Sequence, residues 1–136
     1  MRRPIMTSAA FLSQPSAPAT RNDGKVAQDL LDTLAAHANE CVGMAANMIG
    51  IAKQVIVFDD NGTARAMFNP RITAQSEPYR TREGCLSLIG ERETTRYRRI
   101  TVAFDDMTFA HRSEDFAGWT AQIIQHEIDH CNGIVI

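Results

Sequence analysis

The chain has 136 residues, 44% of them hydrophobic, and a formal net charge of -2, which fits one domain with a proper core and leaves too little length for two. A pI near 6.0 gives no basic footprint and argues against a stable nucleic-acid complex, and no apolar run is long enough to span a bilayer. Three cysteines, odd in number and irregularly spaced, argue against a disulfide framework and for a reducing, cytoplasmic setting.

The stretch after Met1-Arg2-Arg3 is broken by Pro4, Ser8, Ser13 and Pro15, so it lacks the apolar core of a signal peptide. Up to about Thr20 it reads as an irregular arm wrapping the surface. From about Asn22 to Ala38, Val26, Leu30, Leu31 and Leu34 recur on one helical face, with Gln28, Asp29, Asp32 and Thr33 between them. Gly43 to Gly50 is a small-residue segment that lets backbone approach a ligand closely, and Val55-Ile56-Val57-Phe58 is a buried strand. Asp59-Asp60-Asn61-Gly62 predicts a hairpin turn into Ala64 to Asn69, with Pro70 breaking the run.

Further strands are expected at Arg71 to Gln75, around Cys85 to Leu88, from Tyr97 to Phe104 and near Phe109 to Phe116. Arg96-Tyr97-Arg98-Arg99, the only dense basic run, reads as a solvated strand face in preference to an RNA or ribosome contact. The last helix is expected from roughly Gly118 to His130, with Gly133 following its end. Helix, strands, helix predicts an α+β domain in which antiparallel β-sheets surround a buried C-terminal helix. Trp119, Ile123, Ile124 and Ile128 give that helix apolar surface on more than one face.

The same helix carries Gln125-His126-Glu127-Ile128-Asp129-His130. In H-E-x-x-H, residues four apart stack on one face, so His126 and His130 can bind one cation, and Glu127 lies near enough to take a proton from a bound water. With so little sequence downstream, the third ligand is expected upstream, from His37, His111, Cys41 or Cys85; Cys131 adjoins His130 on a different side of the helix. Residue chemistry alone leaves Cys41 and Cys85 nearly level.

Glu83-Gly84-Cys85-Leu86-Ser87, followed by the Gln125 to His130 stretch, resembles the peptide deformylase family. Its signatures are G-x-G-L-A-A-x-Q, E-G-C-L-S and Q-H-E-x-D-H, and the likeness runs from about Phe11 to the end. Two signatures are intact; in the first, Cys41 stands for the leading Gly, Met44 for the Leu and Met48 for the closing Gln. The resemblance implies that Cys85, His126 and His130 hold one divalent metal, typically Fe2+, with Zn2+, Ni2+ or Co2+ able to use the same donors. It implies Glu127 as general acid/base and the Leu86 N-H as a donor to the developing oxyanion. The implied reaction is hydrolysis of the formyl group from N-formylmethionyl peptides of newly made proteins, releasing formate, with a transient ribosome contact as a further expectation.

In the family the closing Gln amide also donates to that oxygen, which Met48 cannot do. One such donor is worth on the order of 3 kcal/mol; the Asn47 amide, turned inward, and the metal are the replacements on offer. The departure leaves two alternatives: an amidohydrolase of the same fold for another N-acyl group, and a non-catalytic homologue that binds peptide N-termini. Val42, Trp119 and Ile123 are candidates for the methionine slot, the Gly43 segment for pairing with an extended peptide, and Met48 for packing beside the slot. Glu83 and Asp129 are expected to support the site, Asp129 through a ligand ring nitrogen or an Arg, and Glu83 through Arg92 or Arg96. Oligomeric state is not legible in the sequence.

Overall fold

In the computed structural model, which describes residues 1–134, the Val55–Phe58 run lies within β2 (Val55–Asp60) and all four of its side chains are buried. They divide by the period-two alternation of a strand covered on both faces. Ile56 and Phe58 join a cluster with Ile124 and Ile128 of α3 (Gly118–Cys131), whereas Val55 and Val57 join one with Leu30 and Leu34 of α2 (Gly24–Ala36). The two helices therefore cover opposite faces. Between them β1 (Gly43–Ala45), β2, β3 (Thr63–Cys85), β4 (Leu88–Asp105) and β5 (His111–Ala117) form one antiparallel sheet in the order β1-β2-β3-β4-β5. The architecture is α+β with a buried C-terminal helix, as expected, and its antiparallel strands are continuous.

Pro70 does not end its strand. Between Phe68 and Arg71 the register against β4 shifts, Asn69 adopts φ 52°, and β3 continues; an irregularity of this kind absorbs a residue that has no N-H to give. The segments expected separately at Arg71 to Gln75 and Cys85 to Leu88 thus belong to one long β3–β4 hairpin with Cys85 at its tip. The Asn69 side chain is used in turn to hold the N-terminal arm, accepting from Ala19 N at 2.7 Å and donating to Ala19 O at 3.0 Å.

That arm is less irregular than its composition implies. It contains a single helical turn, α1 (Ala9–Leu12), whose Leu12 is fully buried, and Ser16 N donates to Cys131 O at 2.8 Å. Arg3 reaches α2, its N-H donating to Thr33 Oγ1 and its Nε to Asp29 Oδ2. Asp29 and Thr33 are therefore buried, although they fall between the apolar positions of α2. Leu30 and Leu34 occupy the core as expected, with Val26 and Leu31 half-buried.

At the other end of the sheet, Phe109 lies in the β4–β5 turn at φ 62°. Asp106 organises this turn, accepting from Thr108 N, Thr108 Oγ1, Ala110 N and Arg112 Nε at 2.7–3.0 Å. These donors, led by the Thr108 hydroxyl, hold its carboxyl well below the usual range. A depressed folded-state pKa gives stability that is whole above the unfolded value of about 3.9 and is lost on acidification. Asp106→Ala is expected to be less stable than wild type in chemical denaturation at neutral pH, by a gap that closes below about pH 3.9. A gap that widens on acidification would contradict this assignment.

α3 starts at Gly118 and stops at Cys131, where Gly133, at φ 75°, takes the left-handed conformation and Ile134 N donates to Asp129 O at 2.9 Å. Gln125 fastens the helix to β4. Its amide accepts from Tyr97 N and donates to Tyr97 O, both at 2.8 Å, satisfying an edge that β5 pairs only from Arg99 onward.

Candidate metal centre

Helical spacing puts His126 and His130 on one face of α3, both buried, with their Nε2 atoms 3.1 Å apart. The tip of the β3–β4 hairpin brings Cys85 to them across the fold, and the three potential ligand atoms lie within 4.8 Å of one another. Two imidazoles and a thiolate are borderline-to-soft donors. They suit a divalent transition metal held by three protein ligands with one position left open.

Glu83 sets the orientation of His126. Its Oε1 lies 2.7 Å from His126 Nδ1; a proton held there leaves the Nε2 lone pair directed at the site. The Glu83 carboxylate is itself held by Arg96, through Nε at 3.0 Å and Nη2 at 2.7 Å, and by Gln122 Nε2 at 2.8 Å. Burial works to raise the Glu83 pKa, but the donors from His126 and Arg96 prevail and bring it to about 2. Arg96 also donates to Asp129 Oδ2 at 2.6 Å and is only 3% exposed. The solvated-face reading of the basic run therefore fails at Arg96, which points inward to two carboxylates; Arg98 and Arg99 are exposed.

Burial would raise the Cys85 thiol, yet hydrogen bonding to His126 and His130 brings it down to about 5, favouring the thiolate that binds metals. Glu127 is moved the other way. Burial raises its carboxyl against the lowering influence of His126 and His130, and its Oε1 has no hydrogen-bond partner. A Cβ on Gly43 would come within 2.7 Å of Ile123 Cγ2 and 2.9 Å of Glu127 Oε2, so β1 reaches this carboxylate only because residue 43 is glycine.

A pocket of about 870 Å³ opens over these groups, lined among others by Val42, Gly43, Leu86, Trp119, Ile123 and Glu127. Asp59 N donates to Val42 O and Gly43 stands opposite Phe58. By antiparallel alternation, Gly43 turns its own N-H and C=O to the free edge of β1, beside the pocket. The thiol of Cys41 donates to that Gly43 carbonyl at 2.8 Å, and burial raises it to about 11. Cys41 lines the same pocket but is not one of the three clustered donors. His37 and His111 pair with Glu40 and Asp105, and Cys131 is buried in the core.

A model of the polypeptide deformylase family matches residues 3–136. The chain belongs to that family. It is 49% identical over 136 residues to a peptide deformylase of Clostridium beijerinckii, covering all of both chains. A Met-Ala-Ser-bound class I type b peptide deformylase from Acinetobacter baumannii superposes with a TM-score of 0.88 at 27% identity, covering 99% of this chain and 97% of that one. A peptide deformylase from Thermotoga maritima gives a TM-score of 0.89 at 28% identity, covering 99% and 95%.

For a chain of the deformylase family, two expected pocket residues lie elsewhere. Asn47 does turn inward, but its Nδ2 donates to His130 O at 2.8 Å, tying it to the end of α3. Met48 is 1% exposed in the α2-side cluster, with its sulfur 3.5 Å from Ala45 N. Neither lines the pocket: from the 3-10 turn Ala46–Ile49, Asn47 reaches the end of α3 and Met48 the α2-side cluster. Trp119 does line it, but is 60% exposed and so gives α3 little core surface. Gln122 escaped notice in the sequence, although it lies four residues before His126 and therefore on the ligand face.

Proposed function

We propose that this chain, as one domain, is a metal-dependent peptide deformylase that removes the formyl group from the N-terminus of newly made proteins and releases formate. The observation that carries the reading is the convergence of Cys85, His126 and His130 at a pocket also lined by the buried Glu127, whose Oε1 has no hydrogen-bond partner. Cys85, His126 and His130 would hold Fe2+, or Zn2+, Ni2+ or Co2+ on the same donors. When bound, such an ion supplies Lewis acidity for the formyl oxygen and lowers the pKa of a coordinated water.

Glu127 takes the proton from the attacking water and passes it to the departing amine. Its burial supports the role, since burial raises the carboxyl and makes it a stronger proton acceptor than an exposed one. The Leu86 N-H, at the hairpin tip beside Cys85, donates to the formyl oxygen as it becomes negative. The free edge at Gly43 pairs with the peptide backbone, while Val42, Trp119 and Ile123 receive the methionine side chain. No helix among the described residues is long and apolar enough to cross a membrane. Action in the cytoplasm, with transient access to chains leaving the ribosome, is part of the same proposal.

Iron-loaded protein kept anaerobic is expected to release formate from formyl-Met-Ala-Ser and to leave acetyl-Met-Ala-Ser intact, as followed by formate detection. Faster hydrolysis of the acetylated peptide would move the assignment to another N-acyl group. Inactivity on both peptides with metal bound would identify a non-catalytic binder.

A further inference from the structure

Gln122 lines the pocket where both kinds of residue meet, with Leu86, Leu88, Trp119 and Ile123 among its apolar members and Thr81, Arg82 and Glu83 among its polar ones. A loose carboxamide there would demand hydrogen bonds that an apolar side chain cannot return. Both ends of the Gln122 amide are engaged by the protein. Its Nε2 donates to Glu83 Oε2 at 2.8 Å, and its Oε1 accepts from the Tyr79 hydroxyl at 3.1 Å. Tyr79 sits on β3, where the Arg98 guanidinium lies 4.7 Å from its ring centroid, and burial raises its hydroxyl pKa, keeping it a donor. Glu83 is fixed by Arg96 whatever Gln122 does. The Tyr79 hydroxyl is thus the contact on which the carbonyl end of the amide depends.

We propose that Tyr79 is a specificity-determining residue: by holding the Gln122 carboxamide at its carbonyl end, it leaves the aliphatic stem of Gln122 to form the wall of a slot for an apolar side chain. The inference rests on reading this pocket as the slot for the first residue of a formylated peptide. Without the hydroxyl, Gln122 Oε1 is left to find a donor inside the slot. An apolar side chain is then penalised, and one that carries an amide N-H gains a partner.

The test compares formyl-Met-Ala-Ser with formyl-Gln-Ala-Ser on wild type, Tyr79→Phe, Gln122→Met and the double variant. Tyr79→Phe is expected to raise KM for the methionine peptide about three- to tenfold, the size of one net hydrogen bond, with kcat held within about twofold. It should also narrow the preference for methionine over glutamine. In the Gln122→Met background the same change should leave KM where that variant sets it, because the amide it controls is gone. Binding of the unformylated peptide Met-Ala-Ser, read by the fluorescence of Trp119, the chain's single tryptophan, should shift with KM. An unchanged KM in Tyr79→Phe, or an equal rise in both backgrounds, would overturn the proposal. Failure of metal-loaded wild type to turn over would instead strike the deformylase reading, and peptide binding to the four proteins would still decide the role of Tyr79.

Discussion

Replacement of Glu127 by glutamine is expected to lower kcat about a thousandfold while metal content stays unchanged. Glu127 is 4% exposed and packs close to Gly43, and an isosteric amide fits there without moving β1 or α3. What it loses is the ability to take a proton from water and return it to the amine. Glu127 is not among the three clustered donors, so the ion should remain. The fall should appear in kcat far more than in KM, since the missing group acts on the reacting atoms and not on the peptide as bound. Formate release and metal analysis on the same preparation check both halves. Activity within tenfold of wild type would remove Glu127 from the proton path, and loss of the ion would give it a different role.

Arg96→Met is expected to destabilise the metal-free fold by about 3–5 kcal/mol, because it leaves the Glu83 carboxylate buried without its ionic partner. The magnitude follows from the enclosure of both groups, Arg96 at 3% and Glu83 at 9% exposure, and from the paired donors joining them. Removing the charge as well, in Arg96→Met with Glu83→Leu, should recover much of that stability. It should not recover the ion. His126 then lacks the acceptor at Nδ1 that orients its ring, and affinity should fall about 10- to 100-fold in chelator competition. Parallel recovery of stability and metal affinity would show that Glu83 serves packing alone.

The parts of this structure legible in the sequence are those fixed by short-range pattern. The apolar spacing of Leu30 and Leu34 locates α2, the unbroken Val55–Phe58 run marks a buried strand, and His126 with His130 announces a cation-binding face. Residue chemistry could not choose between Cys41 and Cys85. That choice depends on where the tip of an 18- to 23-residue-stranded hairpin lands, and family resemblance supplied the answer. Pro70 carries a local signal for a break, which register shifts in β3 overrule. Asn47 and Met48 sit in a segment that does border the pocket, but a 3-10 turn decides the direction of each side chain, and small-residue composition leaves that turn unannounced. Arg96 looks like a surface charge until Glu83 and Asp129, 13 and 33 residues away, are seen to converge on it.

The central claim is that one thiolate and two imidazoles, Cys85, His126 and His130, bind a single ion. X-ray absorption on zinc-loaded protein addresses it directly. One sulfur at about 2.3 Å and nitrogens at about 2.0–2.1 Å are predicted, with the sulfur shell lost in Cys85→Ala and retained in Cys41→Ala. A shell of oxygen and nitrogen alone, or a sulfur that survives Cys85→Ala and disappears in Cys41→Ala, would contradict the account.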